Sequence, residues 1–357
     1  MYNIIRPLLF RLDPETAHRL TLHTLQISGN FPPSRWILTQ FYKAPSKPVQ
    51  AFGLTFRNPV GLAAGYDKDG VAIRGLEALG FGHVEIGTVT PKPQPGNPRP
   101  RVFRLVEDEG VINRMGFPGR GAEFVAMSLR GERSSRRSNP LANEEIASGA
   151  NAPRNDMIVG VNLGKNKDTP LEEAAQDYIE LMRRFMFHAD YLTINVSSPN
   201  TVGLRRLQGR EMLKQLLEAI QKERETISLG RGGNSPILVK LSPDLNEEEL
   251  EDAVGVILDQ RMDGIIATNT TLAREGLRSK YRGEAGGLSG SPLAAGSEAV
   301  LRQVAKLVNG KIPIISVGGI MSPEDVKKRL ALGASLVQLY TGLVYRGPGL
   351  VKKILEQ

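Results

Sequence analysis

The run Asn195-Val-Ser-Ser-Pro-Asn-Thr-Val-Gly203 closes an apolar, strand-like stretch (Tyr191-Leu-Thr-Ile-Asn195) with amides and hydroxyls set around a rigid Ser-Pro step. Enzymes with alternating strands and helices keep their chemistry at the rim where strands end. Ser, Pro and Asn also favour turns, so this run alone reads equally well as a cap. The other strand-like runs decide between the two readings, because each ends in polar or turn-forming residues. In chain order they offer Lys68, Thr88, Asn162, Asn195 with Ser198, Lys240, Thr268-Asn269-Thr270, Gly318-Gly319 and Tyr340-Thr341. Asn113, Asn195, Asn200 and Asn269 add amides that donate and accept together. Such a set suits a flat ligand with alternating C=O and N–H edges, as a pyrimidine has, and Lys68 could hold a carboxylate on it.

A second group points to an anion. Ser316-Val-Gly-Gly-Ile-Met-Ser-Pro-Glu324 is a glycine turn leading into a helix, a form whose backbone N–H groups and helix N-terminus hold phosphate. With the Gly-Leu-Ser-Gly290 run and Tyr340-Thr341-Gly342 it matches the phosphate site that barrels build late in the chain. The bound group is then a phosphorylated substrate or a mononucleotide such as FMN; a purely structural turn is the alternative. Lys240, at a strand end, needs an anionic partner if buried. Either a flavin's N1–C2 edge, which gains negative charge on reduction, or a neighbouring carboxylate would serve. Asp67-Lys68-Asp69-Gly70 lacks the third acidic position and distal Glu of a calcium loop.

The elements that must position these groups are legible as apolar runs at 60–65, 83–89, 157–163, 191–197, 236–241, 264–268, 313–318 and 335–341. Such near-continuous runs are how strands buried on both faces read. Helix-patterned stretches at 69–79, 119–130, 171–188, 210–228, 246–260, 294–308, 322–332 and 348–356 alternate with them. Eight alternations predict an α/β fold, a (β/α)8 TIM barrel over 48–357. An open doubly wound sheet would carry a glycine fingerprint after its first strand, and neither GxGxxG nor GxxxxGK[ST] occurs. Residues 131–156, rich in Ser, Asn and charge without period, predict a flexible surface insertion.

Residues 1–47 form a small N-terminal helical extension. Ile4, Ile5, Leu8, Leu9 and Leu12 make one apolar stripe, Asp13-Pro14-Glu15 starts a second helix ended by Gly29, and Pro32-Pro33-Ser34 starts a third piece with Trp36, Phe41 and Tyr42. Six cations against Asp13 and Glu15 leave +4 of the chain's +8 in this segment. It reads either as a cap packed on the barrel or as a basic, amphipathic lid resting on an anionic bilayer.

Composition narrows the chemistry. The 357 residues contain no cysteine, which excludes disulfides, thiolate metal sites, iron–sulfur clusters and a cysteine base. The four histidines lack ligand spacing, so no metal is expected. No apolar run reaches the roughly 18–20 residues of a membrane span, and Asp13, Pro14 and Glu15 interrupt any signal-peptide core. A soluble, non-secreted body is expected. Few aromatics accompany the basic patch at Arg130, Arg133, Arg136 and Arg137, so nucleic acid is not an expected partner.

Taken together, these motifs resemble those of the dihydroorotate dehydrogenases, specifically the membrane-associated, quinone-using class 2. The carriers are Gly61-Leu-Ala-Ala-Gly-Tyr-Asp-Lys-Asp-Gly70, Ile86-Gly-Thr-Val-Thr-Pro91, Gln94-Pro-Gly-Asn-Pro98, Ile112-Asn-Arg-Met-Gly-Phe117, Gly160-Val-Asn-Leu-Gly-Lys-Asn-Lys167, Asn195 to Gly203, Ala267-Thr-Asn-Thr-Thr271, Gly286-Gly-Leu-Ser-Gly290 and the late glycine turns. The resemblance covers nearly the whole chain. It implies that Ser198 removes a proton from C5 of dihydroorotate while hydride passes from C6 to N5 of FMN, one FMN per chain, giving orotate in pyrimidine biosynthesis. It implies substrate contacts from Lys68, Asn113, Arg114, Met115, Gly116, Phe117, Asn195, Asn200, Asn269 and Thr270. For the cofactor it implies Ala64, Gly65, Tyr66, Asp67, Lys68, Thr88, Asn162, Asn195, Lys240, Thr268, Gly290, Gly319, Tyr340 and Thr341.

The soluble class 1 enzymes use a cysteine base, which this chain lacks. A serine is a weak base near neutrality, so a relay through Thr201 and water is expected. The extension implies a tunnel carrying a membrane quinone toward the flavin, with His18, Arg104 and Tyr340 along it. The same resemblance implies a peripheral membrane protein on the cytoplasmic face of a bacterial inner membrane, contacting anionic lipid through residues 1–47; a monomer is expected. The 131–156 insertion departs from the family pattern. Another FMN barrel acting on a different heterocycle, or a non-catalytic membrane-bound barrel, are the alternatives; intact Ser198, Asn113, Asn195, Asn200 and Asn269 weigh against both.

Overall fold

A computed structural model describes residues 2–137, 157–231 and 235–357. Three helices come first: α1 (Tyr2–Arg11), α2 (Pro14–Asn30) and α3 (Pro32–Tyr42). A hairpin of β1 (Val49–Ala51) and β2 (Leu54–Phe56) leads into the barrel. Its eight strands are β3 (Val60–Leu62), β4 (His83–Val89), β7 (Ile158–Leu163), β8 (Tyr191–Asn195), β9 (Ile237–Leu241), β10 (Gly264–Ala267), β12 (Ile314–Val317) and β13 (Leu336–Leu339). They pair in parallel in that order, and β13 closes on β3. Each falls within one of the eight predicted runs, and every strand residue is buried, as strands covered on both faces must be. Gly160 shows how the interior fills: an added Cβ would lie 2.1 Å from the Tyr191 ring, so the missing side chain makes room for the aromatic at the barrel axis. The β1–β2 hairpin plugs the end where the strands begin, packing Ala51 and Phe56 on Ile158, Tyr191, Leu238 and Leu336.

The helices between strands are α4 (Ile73–Ala78), α5 (Gly121–Arg137), α6 (Ala174–Phe185), α7 (Arg210–Arg231), α8 (Glu247–Asp259), α9 (Ala294–Val308) and α10 (Pro323–Ala331). The predicted starts at Asn246 and Ser322 are reciprocal capping boxes with Glu249 and Asp325. The predicted stretch 348–356 is α12 (Leu350–Leu355), and it is preceded by α11 (Thr341–Arg346), which lies outside the predicted helix stretches. The largest shift of a predicted helix start is at α4, which begins at Ile73 rather than at 69, because Asp67 first turns the chain by accepting the Val71 and Ala72 amides at 2.9 and 2.7 Å. The expected flexible insertion is helical as far as Arg137, and 138–156 lie outside the described residues.

Gly29 was expected to end α2, yet the helix continues to Asn30. Gly29 serves packing instead: a Cβ there would meet the Gly75 amide nitrogen at 2.3 Å, so the two glycines let α2 lie directly on α4. A second sheet, absent from the sequence reading, joins β5 (Val102–Leu105), β6 (Gly110–Asn113) and β11 (Gly287–Gly290) antiparallel. Pairing Gly287 with Asn113 places two predicted site segments side by side.

The N-terminal stripe faces outward. Of fifteen large apolar side chains exposed among the described residues, ten lie before residue 43, including Ile4 (76%), Leu8 (60%) and Trp36 (65%). No described helix is long and apolar enough to cross a membrane.

Candidate active site

The rim formed by the strand ends opens on a cavity that is continuous with solvent. Its wall carries Lys68, Asn113, Met115, Gly116, Phe117, Asn195, Ser198, Asn200, Asn269 and Thr270 of the expected substrate contacts, and Ala64, Gly65, Thr88, Lys240, Thr268, Gly290, Gly319, Tyr340 and Thr341 of the expected cofactor contacts. The residues predicted from strand ends and motifs therefore converge on one site. The exceptions among the substrate and cofactor residues are informative. Arg114 pairs with Glu284 at 2.6 Å and stacks on Phe103, outside the wall. Tyr66 and Asp67 stand behind it, Asp67 as the turn-former before α4. Asn162 is buried beneath the floor rather than lining it.

Ser198, 4% exposed, has its Oγ within 3.2 Å of the Asn200 backbone N–H, which donates to it. Such a donor stabilises negative charge developing on that oxygen. The asparagines orient one another. Asn200 Nδ2 donates to Asn113 Oδ1 at 3.3 Å, and Asn269 Nδ2 donates to Ser197 Oγ at 3.0 Å. Asn195 Nδ2 donates to Thr88 Oγ1 and Asn162 Oδ1, both at 3.0 Å. Lys68 Nζ donates to Gly65 O at 2.6 Å, and desolvation pushes its pKa down to about 8.

Below this layer lies a group the sequence reading missed. Glu85, on β4 and fully buried, accepts from Asn162 Nδ2 (2.8 Å), Gln338 Nε2 (3.0 Å), and the hydroxyls of Tyr191 and Thr193 (both 3.3 Å). Lys240 Nζ lies 3.5 Å from Glu85 Oε1, so the carboxylate alternative considered for Lys240 is realised while Lys240 still lines the cavity. The only sequence signal for Glu85 is an acidic residue inside an otherwise apolar strand. Gln338 Oε1 is buried without a partner and its residue lines the same cavity as Lys240, so the wall holds both an open acceptor and a cationic donor. Lys240, Gln338, the threonines and the glycine turn thus fit a flat heteroaromatic ring bearing a phosphate tail.

The turn needs one revision. The Met321 and Ser322 amides donate to Asp325 Oδ2 at 2.8 and 2.9 Å, so part of the α10 start is satisfied by its own cap. The cavity-facing donors come from the preceding Gly318–Gly319 step, whose φ values of +114° and +71° favour glycine.

The N-terminal helices reach the site by two routes. His18 packs edge-on to Tyr66 at 4.9 Å, and Tyr66 packs edge-on to Tyr340 at 6.0 Å, in the cavity wall. Burial, with Lys68 nearby, lowers the His18 pKa to about 3, which keeps the ring neutral. Arg104 instead donates to the Phe10 and Leu12 carbonyls at 2.8 and 2.7 Å, fixing the α1–α2 corner. The second route was not legible in sequence: Glu15 pairs with Arg99 and Arg101, and Arg101 Nη1 donates to Asn97 O at 2.9 Å. Asn97 Nδ2 donates to the Asn200 and Arg114 carbonyls at 3.2 and 3.0 Å. Gln94 Nε2 holds the Gly116 and Phe117 carbonyls, each at 3.1 Å. The Gln94-to-Pro98 motif is therefore an arm that grips the loops carrying Arg114, Gly116, Phe117 and Asn200.

Comparison with known proteins agrees with this geometry. The family model described as dihydroorotate dehydrogenase matches residues 47–357. Dihydroorotate dehydrogenase (quinone) of Acidithiobacillus ferrooxidans is 47% identical over 361 residues, covering 100% of this chain and 94% of that protein. The Azotobacter vinelandii protein of the same name is 45% identical over 357 residues, covering 100% and 96%. The crystal structure of DHODH from Eimeria tenella in complex with ferulenol superposes with a TM-score of 0.82 at 39% identity, covering 96% of this chain and 90% of that one.

Proposed function

The chain belongs to the dihydroorotate dehydrogenase family, and from that membership we propose that it oxidises (S)-dihydroorotate to orotate in pyrimidine biosynthesis, with FMN as cofactor and a membrane quinone as final acceptor. One observation carries the proposal. A single cavity brings Ser198, Lys68 and the asparagine set together with Lys240 and the Gly318–Gly319 turn. When bound, FMN supplies the two-electron acceptor. The chain's own residues do the rest. Lys68 holds the substrate carboxylate, and Asn113, Asn195, Asn200 and Asn269 match the C=O and N–H edges of the ring. Ser198 gives its own hydroxyl proton outward through Thr201 and water as its Oγ takes the proton from C5, and the Asn200 N–H steadies the alkoxide character of Oγ between the two transfers. Lys240, held from below by Glu85, favours negative charge at the cofactor edge.

The outward apolar faces of α1–α3 rest on the cytoplasmic face of a bacterial inner membrane, and the His18–Tyr66–Tyr340 side is the quinone approach. The test is an anaerobic titration of the purified protein with dihydroorotate, following flavin absorbance. Quinone, fumarate and NAD are then added separately. Bleaching reversed only by quinone is the expected result. Reversal by fumarate or NAD overturns the acceptor. A bound flavin that dihydroorotate never bleaches overturns the substrate, and a protein that FMN cannot colour overturns the cofactor.

A further inference from the structure

Arg329, on α10, is fully buried yet takes no part in the cavity wall. Its guanidinium donates to the carbonyls of Gly318 and Ala294, both at 2.9 Å, to Ser297 Oγ at 2.8 Å and to Ser316 Oγ at 3.3 Å. Glu298 faces its Nε at 3.7 Å and also pairs with Lys328. Burying a cation is costly unless its donors are satisfied; here the terminal nitrogens are held by α9, by Ser316 and by the Gly318 carbonyl of the glycine turn, while Nε has only Glu298 nearby. Ser297 Oγ reinforces the grip by donating to Gly318 O at 2.8 Å.

Peptide geometry converts that grip into a direction. In a trans peptide plane the C=O of one residue and the N–H of the next point opposite ways. Drawing the Gly318 carbonyl back toward Arg329 turns the Gly319 N–H away from it, and that N–H has no acceptor among the described residues. Two adjacent glycines are otherwise free to rotate this plane. The turn is also pressed against α9, where a Cβ on Gly319 would meet Ala294 Cα at 2.3 Å. With Asp325 occupying the Met321 and Ser322 amides, the orientation of this step sets one of the backbone donors that an anion meets at the turn.

We infer that Arg329 is a positioning residue for the cofactor phosphate: from behind the Gly318–Gly319 turn it fixes the cavity-facing backbone donor and lends a buried positive charge to the dianion. The inference rests on the FMN reading of the cavity. FMN and riboflavin differ only by the phosphate, so their comparison separates this role from general folding. The parent, Arg329→Met and Arg329→Lys proteins are loaded with each flavin, and release after dilution is read by the fluorescence of free flavin.

The parent is expected to release riboflavin at least about tenfold faster than FMN, as loss of charge-assisted hydrogen bonds would give. In Arg329→Met that ratio falls toward one through faster FMN release, with riboflavin release little changed; Arg329→Lys, which keeps charge but not the fork, lies between. A ratio unchanged in both variants, or equal acceleration of both flavins, overturns the inference. If Arg329→Met does not fold, Arg329→Lys decides: an undiminished ratio overturns, a diminished one supports. A parent protein that retains neither flavin overturns the FMN reading itself.

Discussion

Arg101 grips both carboxylate oxygens of Glu15, Nη2 to Oε1 at 2.8 Å and Nε to Oε2 at 3.1 Å, which ties helix α2 to the arm that touches Asn200. The N-terminal segment, which carries the exposed apolar side chains, is therefore also coupled to the cavity wall at Asn200. In Glu15→Gln the fork loses its charge partner, which loosens the hold of Arg101 on the Asn97 carbonyl. The KM for dihydroorotate should rise about three- to tenfold, the range expected when one charge-assisted contact is weakened, with kcat changed less. Steady-state kinetics with a soluble quinone checks this, and an unaltered KM would remove the coupling.

The same pair gives an acid-stability signature. Burial alone would raise the Glu15 pKa, but hydrogen bonds and charge from Arg101, with Arg99, bring it below its usual value. A carboxylate lowered in the folded state contributes fully above its unfolded pKa of about 4.3, and the contribution is lost as pH falls through the lower folded value. The difference in urea midpoint between the parent and Glu15→Gln should be constant from pH 6 to neutrality, and should shrink toward pH 3. A difference independent of pH contradicts the pair's contribution.

Catalysis and binding should respond to pH in opposite senses. A serine base favours turnover as pH rises above neutral. Burial pushes the Lys68 pKa down to about 8, so its charge is lost above that point, and in the proposed role its hold on the substrate carboxylate goes with it. We expect kcat to climb from pH 6 to 9 while KM rises beyond pH 8. In Lys68→Met, KM should be high throughout and insensitive to pH. A flat kcat profile, with chemistry shown to be rate-limiting, would count against Ser198.

Glu85→Gln tests the floor of the cavity. Removing one member of a buried pair leaves the other uncompensated, at a cost of about 3–5 kcal/mol. Equilibrium denaturation should show a loss of that order. Glu85→Gln combined with Lys240→Met should recover part of it, because no lone ammonium remains. Equal stability of the single variant and the parent would mean that Lys240 has another anion to rest on.

Much of this was legible in the sequence because it is local. Eight apolar runs with polar ends marked the barrel strands, and caps at Asn246 and Ser322 marked helix starts. The β5–β6–β11 sheet escaped because its strands are only four residues long and Asn113 finds Gly287 far along the chain. Arg114 carried a family motif, yet it pairs with Glu284, and no spacing rule predicts that choice. Glu85, Arg101 and Arg329 were missed for one reason. A charge reads as surface until the fold supplies partners for it, and those partners come from distant segments.

The hub at Glu85 bears on how the barrel comes together. Its partners sit on β7, β8, β9 and β13, and β13, which brings Gln338, is the last strand of the barrel. A chain stopped after β9 would enclose a carboxylate and its lysine with the barrel wall still open. Partial barrels are thus penalised from within, and the eight strands should melt as one cooperative unit. A protein split after β9 should assemble only when both pieces are present together.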